Sequence, residues 1–225
     1  MPAPCPTHDA ISAPATRQAA FWDRMARKYA TDPIADVPGY EATLQRVQAL
    51  LSTDQNVLEL GCGTGTTALR LAPFTRHYLA TDISAQMVAI AQEKLAAQPT
   101  PQLGFAVANA EEAVSAHGTC DAVLAFNLLH LASDLDATLA LAAQALRPGG
   151  LLISKTPCVA EMNPLITRVA LPLMRAIGKA PEVRCFKGEE LQAAITQQGM
   201  EVISVERHGT RGKDFRVFIV ARKRA

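Results

Sequence analysis

The run Val57-Leu-Glu-Leu-Gly-Cys-Gly-Thr-Gly65 sets a carboxylate, Glu59, just ahead of glycines at alternate positions, Gly61, Gly63 and Gly65. Glycines in such a turn let the backbone take positive φ and approach a ligand closely. The helix expected from about Thr66 turns its free N–H groups toward the same place. A dinucleotide fingerprint carries its third glycine at what is position 66 here; Thr66 stands there, so the match is not direct. Asp82 closes the next apolar run, where a carboxylate can accept two hydrogen bonds from a ribose diol. Asn109 follows the third run and offers an amide to an adenine edge, and Asn127 follows the fourth. Polar groups gathered at the carboxyl ends of adjacent strands mark the place where open α/β sheets bind ligands, and this set suits an adenosine-bearing cofactor.

Other residues are suited to a second reactant. His130, in Asn127-Leu-Leu-His130, is the candidate general base, because imidazole titrates near neutral pH; the alternative is a packing or hydrogen-bonding histidine. Lys155 leaves the fifth strand beside the same region and either meets an anionic reactant or is a solvated lysine. The five cysteines, Cys5, Cys62, Cys120, Cys158 and Cys185, form no CxxC pair and no His/Cys cluster with metal spacing. No metal site and no disulfide framework are expected, and the scatter suits a reducing compartment.

These side chains need a scaffold. Short apolar runs at 57–60, 78–80, 103–106, 122–126 and 151–154 alternate with helical patterns. The stripes Met87, Ile90, Ala91, Leu95 and Leu135, Leu139, Ala142, Leu146 each fall on one helix face. Ser84 and Ser133 occupy expected N-cap positions, and Pro148-Gly149-Gly150 is expected to end a helix before the fifth strand. Repeated strand-then-helix units predict a doubly wound α/β domain, a parallel sheet with helices on both faces. A helix from Lys187 to about Gln198 precedes strands at 202–207 and 215–221, whose short Gly-bearing connection predicts an antiparallel hairpin. Upstream, helices are expected over 19–29 and 40–51, separated by the turn-rich segment 31–39. The proline-bearing start, 1–17, reads as a flexible tail, leaving one domain over 18–225 with a helical cap at 18–52.

Composition narrows the partners. The 22 Lys+Arg and 21 Asp+Glu leave a formal charge of +1, so no nucleic acid is expected. No signal-peptide pattern and no long apolar run is present, which together predict a cytoplasmic protein without a transmembrane segment.

Glu59-x-Gly61-x-Gly63-x-Gly65 resembles the first motif of class I methyltransferases that use S-adenosylmethionine (SAM), and Thr81-Asp82-Ile83-Ser84 the second. Ala108-Asn109-Ala110-Glu111 is similar to the third, with Asn109 where the family commonly has Asp. Asp121-Ala-Val-Leu-Ala-Phe-Asn127 and Leu146-Arg-Pro-Gly-Gly-Leu-Leu resemble the fourth and fifth. The resemblance covers about 21–225 and runs to the ubiquinone/menaquinone-methylase-like group of small-molecule methyltransferases. It implies seven strands in order 3-2-1-4-5-7-6 with strand 7 antiparallel, which the terminal hairpin independently supports. It implies SAM as cofactor, Glu59 beneath its methionine part, Asp82 on the ribose, and Asn109, with its side-chain oxygen, on the adenine amino group. Gly61, Cys62, Gly63, Ile83, Ala110, Glu111 and Asn127 line the rest of the cofactor site, Cys62 as a loop residue rather than a nucleophile. Met87 either packs on the adenine or belongs to the core. Tyr29 either covers the cofactor or anchors a surface helix.

The activity so implied is transfer of a methyl group by in-line displacement to a small, partly apolar acceptor. A base is needed only where the acceptor must lose a proton. Acceptor choice is expected in a lid at 158–182, where Leu165, Ile166, Val169, Ala170, Leu173, Met174 and Ile177 form an apolar stripe interrupted by Pro172. Pro172 is expected to kink the segment or start a second short helix. The stripe caps the core, lines an apolar pocket, or lets 163–179 touch a membrane surface. Three rival readings remain: a nicotinamide-dependent oxidoreductase, a nonenzymatic SAM-binding protein, and an RNA or protein methyltransferase. The basic residues Arg207, Arg211, Lys213, Arg216, Arg222, Lys223 and Arg224 favour the last. No Asn/Asp-Pro-Pro-Tyr motif follows the fourth strand, and small-molecule methylation leads.

Overall fold

The structure, a computed structural model, describes residues 13–177, 180–212 and 214–224. Seven strands form one sheet in the order β3-β2-β1-β4-β5-β7-β6. They are β1 (Asn56–Leu60), β2 (His77–Asp82), β3 (Leu103–Val107), β4 (Cys120–Phe126), β5 (Leu146–Pro157), β6 (Met200–Glu206) and β7 (Arg216–Lys223). The first five run parallel, and β7 lies antiparallel to both β5 and β6. The expected order and the antiparallel hairpin are both present.

Two-residue alternation sends neighbouring side chains to opposite faces, and both faces are covered. Leu58, Val123, Leu152 and Ile219 point to a core closed by α5 (Ala110–His117), α6 (Leu135–Ala145) and α8 (Gly188–Gln197). Val57, Leu124, Ile153 and Phe218 point to the other core, closed by α2 (Val37–Gln48) and α3 (Thr66–Leu71). Each fully buried Leu, Val or Phe contributes roughly 1.5–3 kcal/mol relative to exposure, so register is strongly specified on both faces.

The N-terminal cap carries part of the site. α1 (Ala13–Thr31) packs on α4 (Ala85–Ala97) through Ala26, Met87 and Ile90, flanked by Trp22 and Ala30. Asp23 fixes the crossing: its carboxylate accepts from the Ser84 hydroxyl at 2.6 Å and from the Gln86 amide at 3.0 Å.

Several boundaries differ from expectation. α1 begins at Ala13, so 13–17 are helical rather than tail; residues 1–12 lie outside the described part. α2 begins at Val37, because Asp36 caps the Gly39 amide and Pro38 fits the first turn, where no intrahelical donor is required. Ser84 caps α4 as expected, but Asp134 rather than Ser133 caps α6, accepting from the Ala137 amide at 2.9 Å. Pro148-Gly149-Gly150 belongs to the irregular start of β5; α6 has already ended at Ala145.

In the expected lid, a π-helical turn (Ile166–Ala170) runs into α7 (Leu171–Ala176). The widened turn precedes Pro172, which lacks the N–H and crowds the carbonyl four residues back. Leu165, Val169, Leu173 and Ile177 stand 58–70% exposed, so the stripe does not cap the core. No described helix is long and apolar enough to cross a membrane.

Candidate active site

The glycine turn after β1 is held from three sides. The Cys62 amide donates to the Thr81 carbonyl at 2.9 Å and the Gly63 amide to Asp82 Oδ2 at 2.9 Å. Lys94 of α4 donates to the Thr64 carbonyl and hydroxyl, both at 3.0 Å, and to the Thr66 hydroxyl at 2.8 Å. Lys94 was not singled out from the sequence, since a lysine late in a helix ordinarily faces solvent. Gly61, Gly63 and Gly65 all have positive φ. A Cβ on Gly65 would sit 2.6 Å from the Phe105 ring, whereas one on Gly63 would meet nothing nearer than Tyr29 at 3.9 Å. Gly65 is therefore required for packing. Gly63 faces open space, as a ligand cradle demands.

That space is a cleft of about 350 Å³ across the carboxyl ends of β1, β2 and β4. It brings together ten expected residues: Tyr29, Gly61, Gly63, Asp82, Ile83, Met87, Asn109, Ala110, Glu111 and Asn127. Asp82 is half-spanned by its own loop, Oδ1 accepting from the Ser84 amide and Oδ2 from Gly63. Burial raises its pKa, opposed by those two amide bonds. Met87 is core and wall at once: it is buried, packs against α1 and reaches the cleft. Asn127 ends β4 at φ 52°, the one described non-glycine residue with positive φ, and its amide donates to the Lys155 carbonyl at 2.8 Å. Such strain persists where surrounding structure over-determines it, commonly at functional sites.

Four of the expected residues are placed as follows. Glu59 does not reach the cleft; it is 1% exposed and accepts from the Tyr78 hydroxyl at 2.8 Å below the glycine turn. Burial lifts its pKa to about 7, with the Tyr78 bond opposing and the Asp82 charge adding. Cys62 turns away from the cleft toward a second cavity, and burial holds its thiol protonated, pushed well above the usual range. His130 lines neither this cleft nor that second cavity; its Nδ1 is buried with no partner among the described residues, and burial lowers its pKa to about 4. Asn109 does line the cleft, but its Oδ1 caps α5, accepting from the Glu112 amide at 2.9 Å, and the Asn109 amide donates back to Glu112. Its Nδ2 is then the group best placed for a ligand, so the amide would donate rather than accept.

The cleft also uses residues not singled out from the sequence. Trp22 and Gln18 of α1 line it beside Tyr29. Trp22 and Tyr29 meet edge-to-face at 6.0 Å, and the Gln18 amide donates to the Leu131 carbonyl at 2.6 Å. Their signal was the seven-residue spacing of Trp22 and Tyr29, two turns of one helix face.

The second cavity, about 470 Å³, shares Tyr29, Phe126 and Asn127 with the cleft. Its far walls are the segment between α1 and α2, the glycine turn, Lys155 of β5, and Asp214 and Arg216 of the β6–β7 hairpin. The expected lid lines neither of these two cavities. Its end, around Arg175 and 180–184, instead faces α1 across a third.

Residues 57–150 match a protein-family model described as a methyltransferase domain. The matched segment runs from β1 into β5, the half of the sheet that carries the cleft. Over 192 residues it is 27% identical to an O-methyltransferase of Penicillium expansum, covering 82% of this chain and 65% of that protein. It is 38% identical over 112 residues to an iterative polyketide synthase of Emericella nidulans, covering 43% of this chain and 4% of the synthase. The chain spans only 3–5% of the length of the synthases it matches. Among solved structures, a magnesium protoporphyrin IX methyltransferase from Synechocystis with bound SAH superposes with a TM-score of 0.67 at 20% identity, covering 93% of this chain and 99% of that one. The YcgJ protein of Bacillus subtilis gives 0.66 at 18%, covering 82% and 99%. At such identities the likeness is one of fold. The matched residues 57–150 contain the glycine turn, Asp82, Asn109 and Asn127.

Proposed function

We propose that this chain is a SAM-dependent methyltransferase acting on a small, partly apolar acceptor by in-line displacement. The observation that carries the reading is that two cavities share Tyr29, Phe126 and Asn127 in their walls. One has the glycine cradle and carboxylate that suit a nucleoside cofactor; the other is large enough for a small molecule.

The residues fit SAM. Gly63 leaves open space, Asp82 offers carboxylate oxygens to a ribose diol, the Asn109 amide and Ile83 suit an adenine, and Asn127 suits the amino-acid portion. When bound, SAM supplies a methyl group already activated on a sulfonium. The chain's own task is to orient the acceptor and exclude water. Tyr29 and Trp22, on a helix pinned by Asp23, close the roof over the cleft. The similarity to a fungal O-methyltransferase supports oxygen as the acceptor atom. The ubiquinone/menaquinone-methylase-like grouping remains a finer part of this proposal, as does peripheral contact through the exposed apolar residues of 163–177.

Calorimetry with SAM, its demethylated product SAH and NAD tests the cofactor. Micromolar SAH binding without NAD binding is expected. Asp82→Asn is expected to weaken SAH by roughly 10- to 150-fold, the value of one hydrogen bond to a charged group. NAD binding in place of SAM would overturn the reading.

A further inference from the structure

The second cavity has a feature that methyl-donor binding does not use. Lys155 Nζ lies 2.7 Å from Thr43 Oγ1, Thr43 Oγ1 lies 3.0 Å from His208 Nδ1, and His208 Nε2 lies 3.1 Å from Glu206 Oε2. Arg46 then braces Glu206 at 3.0 and 3.1 Å. The chain crosses four elements, joining β5, α2, the end of β6 and the turn after it. It runs from the cavity wall to a carboxylate that is 28% exposed.

The direction of each bond follows from its partners. A carboxylate only accepts, so His208 Nε2 carries the hydrogen and, in the neutral ring, Nδ1 accepts from the Thr43 hydroxyl. That leaves Thr43 oxygen to accept from Lys155. The Thr43 hydroxyl has a second acceptor, the Gly39 carbonyl at 2.8 Å, to which its hydrogen can turn when Nδ1 becomes protonated. Thr43 is buried and His208 nearly so, its ring 4.7 Å from the Phe218 ring, so the middle of the path is shielded from solvent.

Resting on the methyltransferase reading above, we propose that this cavity takes an acceptor with an acidic hydroxyl, a phenol or enol, and that Lys155, Thr43 and His208 relay its proton to the Glu206 side. The Lys155 ammonium gives a proton to Thr43 oxygen as the Thr43 hydroxyl proton passes to His208 Nδ1, and the amine so freed takes the acceptor proton, the O–H electron pair staying on oxygen. The imidazolium is held by Glu206, and the resulting oxyanion by the Lys155 ammonium. An amine acceptor would be repelled by Arg216 and needs no such path; a carboxylate acceptor has no proton to give. Burial lowers the Lys155 pKa, Asp214 and Asp36 raise it and Arg216 lowers it; Asp32, Tyr29, Tyr40 and Cys62 complete the titratable wall.

The test uses the full chain with SAH bound and 4-nitrophenol as probe, whose visible absorbance distinguishes phenol from phenolate. The wild-type protein is expected to bind the probe as phenolate at a pH where the free probe is largely un-ionised. ¹⁵N spectra of the histidines are expected to move His208 from the Nε2–H neutral form to imidazolium on binding. Lys155→Met is expected to remove the phenolate band and weaken the probe at least about tenfold, with SAH affinity kept within about twofold. Thr43→Val, nearly isosteric, is expected to keep SAH binding and leave His208 neutral when the probe binds. The relay is overturned by absence of probe binding to wild type, by a phenolate band that survives Lys155→Met, or by protonation of His208 in Thr43→Val. Absence of SAH binding to wild type would instead sink the methyltransferase reading on which the relay rests.

Discussion

Gly63 and Gly65 share a left-handed backbone, at φ 54° and 73°, but an added methyl group would meet different surroundings. In either case an L residue in that region costs about 1–2 kcal/mol. At Gly65 the new Cβ also meets Phe105 Cζ at 2.6 Å and Ala91 Cβ at 2.7 Å, and overpacking of a filled site adds about 1–3 kcal/mol. At Gly63 the nearest atom is Tyr29 Cε1 at 3.9 Å, so only the backbone strain applies. Gly65→Ala should therefore lose about 2–5 kcal/mol and Gly63→Ala about 1–2 kcal/mol. For a chain of this size that corresponds to roughly 4–20 °C and roughly 2–8 °C of melting temperature. Binding should order the two the other way. The Gly63→Ala methyl enters the cleft and is expected to weaken SAH at least about tenfold, while Gly65→Ala, where folded, stays within about threefold. Thermal melts and SAH calorimetry on both variants measure this directly. Equal melting losses, or wild-type SAH affinity in Gly63→Ala, would refute the assignment of one glycine to packing and the other to the ligand.

Glu59 should make stability pH-dependent. Its folded pKa, about 7, lies above the ordinary 4.5, so the folded state keeps a proton that the unfolded chain has released. Stability contributed by the protonated form is therefore present in acid and lost as pH rises from about 4.5 through about 7, by about 3 kcal/mol in order of magnitude. Urea unfolding of Glu59→Gln, which keeps an acceptor for Tyr78, should gain on wild type between pH 5 and pH 8. His130 lies off both cavities and is neutral above about pH 4, so His130→Asn should keep methyl transfer within about threefold. A loss of 10²-fold or more would restore His130 as the base. Paired substitution of Val169 and Leu173 by Glu should leave stability within about 0.5 kcal/mol, since neither side chain is buried. Deleting 163–177 should leave SAH affinity within severalfold, because those residues line neither the cleft nor the second cavity; a larger loss would tie the segment to the cofactor site.

The strands, the terminal hairpin and the glycine cradle were legible because each follows from local rules, whereas the strand order came with the family resemblance. Buried parallel strands read as short apolar runs, helices show their stripes, and a glycine turn at a strand end advertises itself. Asp82, Asn109 and Asn127 followed from the same logic, as residues just past strand ends. Ambiguous side chains were decided only in three dimensions. Glu59 and Gly61 are two residues apart, yet one is sealed below the turn and the other opens on the cleft. His130 lies beyond β4 and Lys155 within β5, yet of the two only Lys155 reaches the second cavity, where it meets Thr43 from α2, itself bonded to His208 from beyond β6. No local pattern joins residues 43, 155 and 208, because their proximity comes from the order in which strands pair and from α2 folding back over the sheet. The sequence by itself determined the scaffold and the place of the cleft. The tertiary structure decided which polar groups face it, because burial and partnership depend on neighbours distant in the chain.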